Sequence, residues 1–133
     1  MGSLEWAGEV PGRILLWTSI AFSLWHLSAV VLNTEFDLPV AQIPVFIVNA
    51  AILGAIWGLL RWLSGSVIVA SVSHGVWNGM TCGLFGYGTK VGALGIKNTA
   101  WFGPEVGVVG LGLNVVFFVT LLWWSRGRVS SGA

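Results

Sequence analysis

Two histidines and an asparagine, His26, His74 and Asn78, stand inside stretches of sequence that are otherwise apolar. These residue types suit proton transfer and oxyanion binding. A histidine can act as general base toward a bound water, or hold that water for a carboxylate. A second histidine and an amide can donate hydrogen bonds to the oxygen that gains charge as a carbonyl is attacked. Together they make most of a hydrolytic site, lacking one strong base. Residue type alone leaves other chemistries open. Two histidines on separate helices can ligate a haem axially, and a Soret band in purified protein would reveal it. They could also bind a divalent metal, although zinc takes three protein ligands at catalytic sites and no inward carboxylate is evident beside them. The bland alternative is that each histidine bonds a neighbouring helix and only stabilises packing.

Spacing narrows the choice. Phe22 to His26 and His74 to Asn78 are both four residues apart, which puts each pair on one helix face. Ionisable and amide side chains are disfavoured in lipid, by about 2.5–3.5 kcal/mol for a charged one on insertion scales, so they face a protein interior or a water-filled cavity and mark function.

The composition establishes that lipid is the surrounding medium. Of 133 residues, 56% are hydrophobic and 8% charged, where a soluble domain carries about 25% charged residues. Nine tryptophans and nineteen glycines add to this signature. The expected partner on this ground is the bilayer. A net charge of +1 with no basic run gives no reason to expect nucleic acid. Cys82 is the only cysteine, so no internal disulfide can form, and it reads as a small buried side chain. The first thirteen residues hold Glu5 and Glu9 against Arg13, a poor leader for a cleaved signal, so the apolar run that follows reads as a retained helix.

Four apolar stretches, each near the ~20 residues that cross a bilayer, must then position the polar groups: Ile14 to Leu32, Pro44 to Leu60, Ser66 to Gly86 and Val106 to Trp124. The expected fold is all-α, a single membrane domain over residues 1–133 with four helices in a bundle and a glycine-rich loop from Tyr87 to Glu105. Arg61, Ser64 and Gly65 read as a tight connection. Arg13, Arg61, Arg126 and Arg128 fall on one side of this bundle and Lys90 and Lys97 on the other, which favours both termini in the cytoplasm. Gly54 and Gly58, and Gly75, Gly79 and Gly83, form four-residue ladders that allow close helix packing. At about 1.5 Å per residue His26 lies roughly 18 Å along its helix, His74 roughly 12 Å and Asn78 roughly 18 Å. Parallel first and third helices would bring the trio together.

At these residues the chain resembles a known family, the CAAX proteases and bacteriocin-processing enzymes, also called abortive-infection proteins. Phe22-Ser23-Leu24-Trp25-His26 looks like the family's F-x-x-x-H motif, and His74-Gly75-Val76-Trp77-Asn78 like its H-x-x-x-N motif. Gly65-Ser66 is similar to the pair that often opens the latter helix, and Gly103-Pro104-Glu105 followed by Gly107 to a loop before the last helix. The resemblance implies a prokaryotic intramembrane endopeptidase that acts on a peptide or protein substrate, works through a glutamate and needs no cofactor or metal. It assigns His26 to water activation beside that glutamate, and His74 and Asn78 to the oxyanion hole. The family's upstream E-E-x-x-x-R is not found: Glu9 and Arg13 keep only E-x-x-x-R spacing, Gly8 replaces the first glutamate, and Pro11 and Gly12 would break a helix there. Glu9 is therefore read as coincidental, and Glu105 as a loop glutamate capping the last helix. The chain reads as the C-terminal half of such a protease. A non-catalytic homologue serving in bacteriocin immunity or as a binding partner is the alternative, and it predicts a cellular phenotype indifferent to His26→Ala and His74→Ala.

Overall fold

The computed structural model describes residues 12–32 and 38–130, with side chains to Arg128. Helix α1 runs Gly12–Leu32. A single 3-10 turn, Val40–Gln42, leads into α2, Ile43–Ser64, whose Pro44 occupies the first turn, where a missing N–H costs nothing. Gly65 ends α2 in the left-handed region at φ 65°, and the Ser66 hydroxyl caps the next helix by accepting the Ile68 N–H at 3.2 Å. Helix α3 covers Val67–Met80 and continues as a π turn over Thr81–Phe85. Strands β1, Gly86–Tyr87, and β2, Lys90–Val91, pair antiparallel with Gly86 opposite Val91. A short helix α4, Thr99–Phe102, precedes α5, Val108–Ser130.

Three of these helical segments, Gly12–Leu32, Val40–Ser64 and Val108–Arg128, are long and apolar enough to cross a bilayer. The fourth predicted stretch is not one straight helix. Its α-helical part has 14 residues, short of the ~20 a bilayer needs. The chain loosens at Thr81, and the Gly83 and Leu84 carbonyls accept the Ala93 and Leu94 N–H groups at 2.9 Å. Part of the expected glycine-rich loop is thereby folded back onto the π turn, and backbone groups that the widened turn exposes find partners. Arg61 belongs to the last turn of α2 rather than to the connection, where a cation suits the helix's negative end. Gly12 and Arg13 lie inside α1.

Helix α2 is central, packing on α1, α3 and α5. Its buried face carries Phe46, Asn49, Ala50, Leu53, Gly54, Ala55, Ile56, Gly58 and Leu59. Gly54 and Gly58 bring α1 into close contact. A Cβ at Gly54 would lie 2.8 Å from Phe22 Cβ and 3.1 Å from the Thr18 carbonyl, and one at Gly58 would lie 2.6 Å from the Thr18 hydroxyl. The second ladder behaves otherwise. Gly75, Gly79 and Gly83 are exposed, with nothing within 4 Å of an added Cβ, so they do not pack. Cys82 is likewise exposed rather than buried. A small apolar plug of Leu38, Phe46 and Val106, with Val30, Ile43, Ile47 and Tyr87 against it, closes the end where α1 finishes and α5 begins.

Candidate functional site

The site is built on that closed end of the bundle, where α1, α2 and α3 bring their aromatic residues together. His26 follows Phe22 by one turn of α1, and its Nδ1 lies 2.8 Å from the Phe22 carbonyl oxygen. A carbonyl only accepts, so Nδ1 carries the hydrogen. The Nε2 lone pair is left for a water. The Phe22 ring lies 4.3 Å from the His26 ring, and Phe46 from α2 closes the other side at 5.5 Å between centroids.

His74 reaches the same cluster from α3. Its ring centroid is 5.2 Å from Phe22 and 4.5 Å from Trp57. Phe22 therefore touches both histidines, and the two imidazoles lie within electrostatic reach of each other. Asn78 donates its amide Nδ2 to His74 Nε2 at 3.1 Å. An imidazole nitrogen that accepts holds no hydrogen, so the neutral His74 ring keeps its proton on Nδ1 and can offer it to an anion. Asn78 itself is exposed. It joins the cluster only through His74, on the flank.

Glu105 is the residue whose placement departs most from expectation. It precedes α5 by three positions, but its Oε1 accepts the Trp77 indole N–H at 2.6 Å. The carboxylate thus engages α3. The cause lies in two buried amides on other helices. Asn49 of α2 donates to the Pro104 and Glu105 carbonyls, both at 2.8 Å. Asn114 of α5 donates to Asn49 Oδ1 at 3.0 Å and to the Pro104 carbonyl at 3.2 Å. With Asn49 wholly buried and Asn114 nearly so, the turn at residues 103–107 is fixed from both sides.

Burial pushes the Glu105 carboxyl above its ordinary value, opposed by the Trp77 N–H and by the nearby His26 imidazole. The buried Thr81 hydroxyl stands next to it and favours the charged form. An apolar groove of about 290 Å³ opens beside Trp57 and Trp77, lined also by Leu53, Ile56, Ser73 and Phe117.

The structure thus joins His26 with His74 and leaves Asn78 at the edge. Glu9 lies outside the described residues. Among the described residues no group of three His, Cys, Asp or Glu side chains stands close enough to hold a metal ion. Sequence reading passed over Asn49 and Asn114, although both meet the criterion that singles out Asn78, an amide in the middle of an apolar stretch. Trp77 lies within the H-x-x-x-N segment but is no part of the motif's pattern.

One family model matches this sequence, that of the Rce1-like type II CAAX prenyl endopeptidases, over residues 1–80. The matched segment contains His26, His74 and Asn78 and stops before Thr81. No curated protein and no solved structure matches the chain.

Proposed function

The chain belongs to the Rce1-like family of type II CAAX prenyl endopeptidases, and on that premise we propose that it hydrolyses a peptide bond at membrane depth with an activated water. The meeting of His26 and His74 on the two faces of the Phe22 contact carries this reading. In it, His26 Nε2 accepts a hydrogen bond from the attacking water and holds it in line. His74 Nδ1–H, with its tautomer set by Asn78, donates to the carbonyl oxygen of the scissile bond as charge develops there. Asn78 retains a second N–H for the same oxygen. The Phe22, Phe46 and Trp57 rings packed on the histidines shield part of each imidazole, which strengthens these interactions. The groove beside Trp57 and Trp77, separated from His74 by the Trp57 ring, offers an apolar channel for a substrate side chain or a prenyl group.

The protein is integral to a membrane. We further infer that the Arg61 and Arg126 end faces the cytoplasm, since Gly12 and Arg126 border one cleft and so mark the same end of the bundle. The test is cleavage by the purified full chain in lipid nanodiscs of two internally quenched probes, one a farnesylated peptide ending in a CAAX sequence and the other an unmodified transmembrane peptide. Cleavage of either, lost in His26→Ala and in His74→Ala, is the expected result. A folded wild-type chain that cleaves neither would refute the reading.

A further inference from the structure

We propose that the cleft between α1 and α5 binds one anionic glycerophospholipid, its acyl chain lying in the cleft and its phosphate on Arg126. The assignment is independent of the hydrolytic reading above. Helices α1 and α5 both pack on α2 and make little contact with one another, so a furrow floored by α2 is left between them. Its walls include Leu16 and Ser19 of α1, Ala51 and Ala55 of α2, and Phe118 and Leu122 of α5, with Arg126 at its end. The Ser19 hydroxyl donates to the Leu15 carbonyl of its own helix at 2.7 Å. These walls therefore offer nothing to a polar ligand until the guanidinium is reached.

The dimensions select the occupant. The cleft holds about 370 Å³, and Phe118 to Arg126 is about two turns of α5, roughly 12 Å of rise. A furrow of that length and volume has a cross-section of roughly 30 Å², equivalent to a channel about 6 Å across. One extended hydrocarbon chain fits this width. A helix from a second copy, ~10–12 Å in diameter with its side chains, does not.

The charge selects the headgroup. Val108 to Arg126 rises roughly 27 Å along α5, and the hydrocarbon core of a bilayer is about 30 Å thick. With α5 starting at one face, Arg126 reaches the phosphates of the other. Trp123 and Trp124 beside it are exposed, as in the aromatic belt at a membrane interface. Glu105 is the one carboxylate among the described residues, and Trp77 engages it near the opposite end of α5. No described anion neutralises Arg126, so a lipid phosphate completes the pair. Basic pockets between membrane helices take anionic headgroups in this way. A zwitterionic lipid carries its own cation beside the phosphate and gains less.

The test titrates the full chain in detergent with dioleoylphosphatidylglycerol, dioleoylphosphatidylcholine or glycerol phosphate, and counts bound species by native mass spectrometry. One phosphatidylglycerol should bind per chain about fivefold more tightly than phosphatidylcholine, the usual worth of one arginine near an anionic surface. Glycerol phosphate should not bind, having no chain to fill the furrow. Arg126→Gln should erase the preference, whereas Arg61→Gln, which removes a charge from the same end but off this cleft, should keep it. Ala51→Leu should fill the furrow and abolish the single-lipid species with Arg126 still in place. Phosphatidylglycerol should also raise the melting temperature of the wild type more than that of Arg126→Gln, a reading that serves where Ala51→Leu does not fold. Equal binding of the two lipids by the wild type would overturn the assignment, revealing an unselective lipid coat. Equal loss of preference in Arg61→Gln and Arg126→Gln would overturn it as diffuse surface charge, and tight binding of glycerol phosphate as a site for free phosphate.

Discussion

Hydrogen-bond direction at single atoms decides what each polar side chain can do. His74 offers its Nδ1 proton because Asn78 donates to Nε2. Aspartate at position 78 has no N–H to give and attracts a proton onto Nε2 instead. Asn78→Asp should therefore reduce kcat about as much as His74→Ala, on the order of 10²–10³-fold, which is the cost of losing an oxyanion donor. Single-turnover cleavage rates would check this. Glu105 predicts a pH effect on stability as well. Its folded carboxyl titrates above its ordinary value of 4.5, so between those two values the folded chain holds a proton that the unfolded chain has released. Stability is then highest at and below pH 4.5 and falls as pH rises through the elevated folded value. Thermal melts across that window should show the fall in the wild type and a flatter curve in Glu105→Gln.

At the level of helices, the same glycine spacing has opposite consequences on α2 and α3. Gly54→Ala would press a methyl onto Phe22 and the α1 backbone, an overpacking that costs about 1–3 kcal/mol. It should lower the melting temperature and, by displacing the helix that carries His26, slow cleavage. Gly79→Ala meets open space and should leave the melting temperature unchanged or slightly raised. Circular-dichroism melts in one detergent would separate the two. Nothing in a four-residue repeat of small residues says whether a neighbour lies against it, which is why both ladders read alike from sequence. The spans of α1, α2 and α5 were legible because bilayer thickness imposes a length and an apolar composition that any sequence must display. The break in α3 was not. It depends on Ala93 and Leu94 returning to satisfy carbonyls on Gly83 and Leu84, a pairing across a hairpin that no local pattern announces. His26, His74 and Asn78 were legible because polar residues stand out against lipid. The placement of the Glu105 turn was hidden, being set by Asn49 from 56 positions earlier in the chain.

Across the molecule as a whole, large apolar side chains cover the outside. Trp17, Trp25 and Leu32 on α1 are 65%, 73% and 80% exposed, and Val116 and Phe117 on α5 continue the surface at 63% and 52%. Such a surface in water would drive aggregation, and in a bilayer it is the ordinary lipid-facing skin. The full chain should stay with membranes through high-salt and alkaline carbonate washes and leave them only with detergent; release by carbonate alone would contradict this account. The amide pair has one more consequence, in time rather than in space. Asn49 is made 55 residues before Pro104 and 65 before Asn114, and a chain emerges at about 5–20 residues per second. Until the last helix inserts, Asn49 has neither the turn carbonyls nor its asparagine partner. The growing chain therefore carries an unfilled amide for several seconds, and only the arrival of α5 closes the latch on it.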